Sequence, residues 1–149
     1  MGEIIKNGIK DVIITPLNII NTNGGSVYHA IKKTDNGFLS FGEAYFSSVE
    51  YKLIKGWKKH KKMTLNFIVP VGIIKFVIHD LRTSSKSYGF YQEITLSNEN
   101  YNRLTIPPDL WFAFQGLAKN SNFLLNIANL IHDPNEVLSL ELDKIKYDW

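Results

Sequence analysis

The chain contains no cysteine, so neither disulfides nor thiolate metal sites are open to it. It also lacks any apolar run approaching the roughly 20 residues that a membrane-spanning helix needs. The opening MGEIIKNGIKDVIITPL has acidic residues, breaks between its apolar positions and no small-residue cleavage site, so it does not read as a secretory signal. A cytoplasmic protein is the expectation. Internal repeats, low-complexity segments and linkers are missing as well, and 149 residues are most simply one domain, residues 1–149, with a real core. With 44% apolar and 21% charged residues, the composition argues against a disordered chain.

Excess charge is scarce too, at a net +3, but it is unevenly placed. Five of the 17 basic side chains (Lys55, Lys58, Lys59, Lys61 and Lys62) flank His60, and the tail from Asp133 to Trp149 is acidic. The apolar run Phe67-Ile-Val-Pro-Val71 follows this cluster and closes on Gly72. A cationic segment feeding a buried strand brings charge to the rim of a core and points to a specific anionic partner. Nucleic acid is not expected: no helix-turn-helix pattern is present, and the basic segment is too short to follow several phosphates.

Patterning predicts many short strands. Val12–Thr15 is stopped by Pro16, Asn21–Gly25 is a turn, and Ser26–Lys32 is a strand leading to an Asn-Gly turn at Thr34–Gly37. Phe38–Ser48 reads as strand, with Gly42 marking a bulge or a close backbone approach. By strict alternation Tyr51, Leu53, Lys55 and Trp57 share one face, and Lys52, Ile54, Gly56 and Lys58 the other. Further strands are expected at Met63–Val69, Ile73–His79, Gly89–Leu96, Leu104–Ile106, Leu110–Leu117 and Phe123–Ile131. The tail Glu136–Ile145 fits a short helix or an extended cover. Strands at this spacing describe an all-β antiparallel sandwich or barrel.

Five segments then match a known pattern in order. They are Ile54-Lys-Gly-Trp57, Phe76-Val-Ile-His-Asp-Leu-Arg82, Leu96-Ser-Asn-Glu-Asn100, Leu104-Thr-Ile-Pro-Pro108 and the closing Asp143 to Trp149. Together they resemble the dTDP-4-dehydrorhamnose 3,5-epimerase family of cupin sugar-nucleotide enzymes. The resemblance runs from about residue 26 to the end. It implies a cupin jelly roll, a nucleotide-linked keto-deoxysugar as partner, with a dTDP sugar first in line, and a homodimer. In that pattern Lys58 takes the place of the family's histidine, Leu125 that of its tyrosine, and Phe112 that of a further histidine. The frame Gly56-Trp-Lys-Lys-His60-Lys-Lys62 is also similar to the Gly-x-His-x-His-Lys-Lys of the sugar 3,4-ketoisomerases. A metal-binding cupin would need His at Lys58, an acid near Thr64 and His at Phe112. Neither metal nor cofactor is therefore expected.

His60 is the candidate base, since an imidazole suits removal of a proton from carbon beside a ketone. The resemblance puts Asp143 at the carboxylate that orients the family's histidine and Lys55 at a phosphate-binding arginine. Lys58 can neutralise pyrophosphate from the other face of a regular strand. Lys59, Lys61 and Lys62 are expected on the surface. Glu43 and Tyr45 fall near positions where the resemblance implies nucleotide contacts; Tyr45 could stack on a base there, while an aromatic core position is its simpler reading. Asn66, Asn126 and Asn129 interrupt apolar strands where they could face a lumen, and Trp111 and Gln115 fit the same lumen. His29, His79 and His132 are assigned to structure, with His29 at the expected barrel mouth the one exception to watch. The expected activity is metal-free epimerisation or isomerisation of a nucleotide-linked keto-deoxysugar in cell-surface glycan biosynthesis. The alternative is a binding or scaffold protein on the same barrel.

Overall fold

The computed structural model describes residues 8–149. Residues 1–7, which begin the segment MGEIIKNGIKDVIITPL considered above, lie outside that range. Described strands are β1 (Ile13–Pro16), β2 (Ile19–Thr22), β3 (Gly25–Tyr28), β4 (Glu43–Ser48), β5 (Ile54–His60) and β6 (Leu65–Val71). They continue with β7 (Ile73–His79), β8 (Tyr91–Ser97), β9 (Asn102–Ile106), β10 (Trp111–Gly116), β11 (Phe123–Ala128) and β12 (Val137–Ser139). Two five-stranded antiparallel sheets result, ordered β1-β9-β6-β11-β4 and β12-β5-β10-β7-β8, with β2 and β3 as a separate hairpin. This is the all-β jelly roll expected above.

Alternation builds the interior between the sheets. Leu65, Phe67 and Val69 from β6 meet Ile74, Phe76 and Ile78 from β7 and Phe112 and Phe114 from β10 in one buried cluster. The opposite faces of the same strands are also buried, which is why these runs are apolar throughout. Outside β5, β7 and β10, Trp57, Val77, Trp111 and Ala113 are covered by Ile145, Tyr147 and Trp149 of the tail. Outside β6 and β11, Ile68 and Ile127 pack under Leu17, Ile19, Ala30 and Ile31. The tail takes up both of its expected forms, an added strand (β12) on β5 and then a 3-10 turn at Leu142–Lys144.

The expected strand Phe38–Ser48 is shorter, only Glu43–Ser48: just ahead of it Ser40 Oγ and the Gly42 N–H make single bonds to the carbonyls of Asn129 and Ala128, and the loop before them is held by β9. Arg103, with no exposed surface, donates to the carbonyls of Ala30 (2.9 Å) and Asn36 (3.0 Å) and to the Asp35 carboxylate (2.9 Å). The Asn-Gly turn therefore joins two loop segments, not two strands. At Gly42 the expected close approach is found: a Cβ there would lie 2.2 Å from the carbonyl carbon of Leu130.

Candidate functional site

One feature of β5 decides which of its side chains enter the interior. Lys58 pairs with Phe112 and Lys55 with Phe114, so three steps along β5 match two along β10. This bulge resets the alternation. Lys55 and Lys58, expected on opposite faces, thus lie on the same face as Phe112 and Phe114. Trp57 is driven outward and is fully buried beneath the tail, with its ring centroid 5.9 Å from that of Trp149.

Between the sheets lies a cavity of about 150 Å³. Lys55, Lys58 and His60 of β5 line it with Tyr45 and Ser47 of β4, the aromatic floor of Phe67, Phe112 and Phe114, and His132 from the loop after β11. Across the sheets, Lys55 Nζ donates to Ser47 Oγ at 3.0 Å. The imidazole of His60 runs nearly parallel to the Phe112 ring, at an interplanar angle of 11°. Its Nδ1 lies 2.6 Å from Oε2 of Glu136, in a pair whose side chains are only 11% and 9% exposed.

Glu136 is itself firmly held. Its Oε1 accepts the backbone N–H of Lys62 at 2.6 Å and of Met63 at 2.9 Å. Burial pushes its carboxyl up, but the hydrogen bonds from His60, Lys62 and Met63 outweigh burial and leave it below the ordinary carboxylate range. An acceptor on Nδ1 fixes the tautomer that leaves the Nε2 lone pair free. The arrangement has the parts for proton transfer beside the cationic side chains of Lys55 and Lys58.

The expected residues divide sharply. The cavity holds Lys55, Lys58, His60 and Tyr45. Asn126 is fully buried on the Leu124 side of β11, and its Nδ2 donates to Tyr45 Oη at 3.0 Å. Glu43 is half-buried on β4 and is not a lining residue. Four expectations need correction. Asp143 lies on the 3-10 turn with its side chain 75% exposed, beside Lys144, and the carboxylate on His60 is Glu136 instead. Asn66 faces away from the lumen: it accepts from Thr105 Oγ1 at 2.7 Å and donates to the Gly37 carbonyl, so it braces the loop outside β6. Trp111 belongs to the outer cluster under the tail, with Lys59 Nζ 5.1 Å from its ring centroid. Gln115 shares that outward alternation and donates to the Lys52 carbonyl.

Asn129, also read as a lumen candidate, spends its Oδ1 on the Thr64 N–H at 2.7 Å. The residues that sequence reasoning missed are Glu136, Ser47 and His132, the last assigned to structure. A signal for Glu136 existed in its position just past the Asp133-Pro134 break, where a returning chain can reach a strand end. Among the described residues, no group of three or more His, Asp or Glu side chains is placed to hold a metal ion, and no helix is long and apolar enough to cross a membrane.

Comparison with known proteins agrees with this fold. A curated relative, "Probable low-salt glycan biosynthesis epimerase Agl13" of Haloferax volcanii, is 25% identical over 109 residues, 70% of this chain. The matched region spans 66% of that relative's length. The crystal structure of a dTDP sugar isomerase from Desulfovibrio desulfuricans G20 superposes with a TM-score of 0.88 at 33% identity, covering 91% of this chain and 87% of that one. A Legionella pneumophila epimerase in complex with dTDP-4-keto-L-rhamnose shares the fold, with a TM-score of 0.77 at 18% identity, over 94% of this chain and 77% of that one. The sequence pattern described as dTDP-4-dehydrorhamnose 3,5-epimerase matches residues 8–149, and the chain belongs to that family.

Proposed function

We propose that the protein moves a proton on carbon next to the carbonyl of a nucleotide-linked 4-keto-deoxysugar, with His60 as the base. The observation that carries this reading is the His60 Nδ1 to Glu136 Oε2 contact of 2.6 Å inside a cavity that Lys55 and Lys58 also line. Glu136 holds the ring with Nε2 free and stabilises the imidazolium formed when Nε2 takes the proton. Positive charge on the same strand face favours the enolate and the diphosphate together. At about 30 Å³ per water, the cavity has room for roughly five waters, which suits a sugar ring with its nucleotide at the mouth. A dTDP sugar is the first substrate to test, since the family is that of the dTDP-4-dehydrorhamnose 3,5-epimerases and the Desulfovibrio relative is a dTDP sugar isomerase.

A homodimer fits the edge position of β4, where Phe46 stays 66% exposed. A cytoplasmic setting fits a substrate activated on a nucleotide, and cell-surface glycan biosynthesis fits the Haloferax relative. The test is incubation with dTDP-4-keto-6-deoxyglucose in deuterated water. Deuterium is expected at the carbons flanking C4, with conversion to an epimer, and His60→Asn should abolish both. A wild-type protein that gives neither exchange nor product overturns the reading.

A further inference from the structure

Resting on that proposal, we infer that Tyr45, held by Asn126, is the second proton-transfer group, and that the reaction inverts the carbon rather than shifting the ketone. Two proton carriers on opposite walls deliver to opposite faces of a ring lying between them. His60 stands on β5 in one sheet and Tyr45 on β4 in the other, and both line the same cavity. The Lys55 to Ser47 contact shows that β4 and β5 face each other across it.

β11 cannot supply the phenol. Leu125 points out of the lumen and packs with Ile68 and Ile127. The neighbouring Asn126 points inward, and cross-strand register sets it directly opposite Tyr45. Its Nδ2 donates to Tyr45 Oη at 3.0 Å, so the phenolic hydrogen is not used by the amide and stays free to be donated. Asn126 Oδ1 is buried and has no partner among the described residues. A buried acceptor left open costs stability unless a partner fills it, so Asn126 Oδ1 has an acceptor position to offer to a ligand hydroxyl or a water.

The proton balance closes. His60 Nε2 takes the hydrogen from the carbon beside the carbonyl, and the electron pair of the broken C–H bond moves onto the carbonyl oxygen as an enolate. Tyr45 then gives its hydrogen to the opposite face of that carbon, the ketone re-forms, and the phenol is left as phenolate. Imidazolium and phenolate return to their starting forms by exchanging one proton through solvent. No oxidant, metal or cofactor enters the balance. A single base acting alone would return the proton to the same face, giving exchange without inversion.

Wild type, Tyr45→Phe, Asn126→Leu and His60→Asn are compared with dTDP-4-keto-6-deoxyglucose in deuterated water, reading deuterium uptake and epimer separately. Tyr45→Phe is expected to keep deuterium uptake within a few-fold of wild type while epimer formation falls by about 10²-fold or more. Asn126→Leu should move the ratio of uptake to epimer in the same direction, and His60→Asn should lose both signals. Full epimerisation by Tyr45→Phe, an equal loss of uptake and epimer in it, or a ketone-shifted wild-type product each overturns the assignment while leaving His60 as base intact. Equal losses of uptake and epimer in Asn126→Leu overturn its positioning role. A wild type inert to the substrate overturns the parent proposal instead.

Discussion

Glu136 Oε2 lies 2.6 Å from His60 Nδ1 although 76 residues separate the two in the chain. The contact forms because β12 adds to β5, pairing Val137 with His60 and delivering the preceding residue to the strand end. Glu136→Gln keeps the shape and one carbonyl oxygen but removes the charge that, in the proposed mechanism, stabilises the imidazolium. Turnover of the keto-sugar is expected to fall by about 10²-fold or more, with KM changed far less. Steady-state kinetics of the purified variant check this, and an unchanged turnover number would remove Glu136 from the machinery.

The same carboxylate makes stability depend on pH. Its pKa in the folded protein lies below the ordinary 4.5, because the hydrogen bonds from His60, Lys62 and Met63 outweigh burial. A depressed carboxyl contributes stability that is fully present above the unfolded value and is lost as pH falls through the folded one. The stability gap between wild type and Glu136→Gln should therefore shrink as pH falls below 4.5. Denaturant midpoints measured across that range report it. A gap that widened below pH 4.5 would contradict the sign.

Much of this was legible in the sequence, and the failures share a cause. Turn chemistry and apolar runs located the strands, and the five ordered segments identified the jelly roll. Facing was the weak point. Both sides of β6, β10 and β11 are buried, so alternation could not separate Asn126, which faces the lumen, from Asn66, which does not. Trp111 and Phe112 are both aromatic and both buried, and only the pairing of β10 shows which one looks inward. The bulge that turns Lys55 inward is a property of two strands together, invisible in either alone.

Asn66 supplies a direct check on that sorting. It accepts from Thr105 and donates to the Gly37 carbonyl, outside the lumen. Asn66→Leu strands both partners, at a cost of about 1–3 kcal/mol in stability. Kinetic constants below the melting temperature should match wild type within a few-fold. A large rise in KM with little loss of stability would return Asn66 to the binding site.

Trp57 separates the two faces of β5. It is fully buried under the tail while its neighbours Lys55 and Lys58 serve the cavity. Trp57→Ala should cost about 3–5 kcal/mol. For a domain of this size that lowers the melting temperature by about 10 °C or more. Calorimetry measures it, and a loss under about 1 kcal/mol would mean that the tail does not seal this face.

Lys55 and Lys58 should act on binding more than on chemistry, since a diphosphate keeps its charge from ground state to transition state. Lys55→Ala and Lys58→Ala are each expected to raise KM for the nucleotide sugar about tenfold or more, with turnover nearly unchanged. Lys59 serves as the internal control, because the same cluster carries it on the outer face over Trp111. Lys59→Ala should leave KM within about twofold if the effect is local contact and not general attraction. Raising salt to about 1 M shortens the screening length to about 3 Å. The difference between the Lys55 variant and wild type should then contract, because wild type loses its electrostatic advantage first. Equal rises in KM for all three alanine variants would show that the basic segment works as a diffuse field and that the bulge of β5 has no part in recognition.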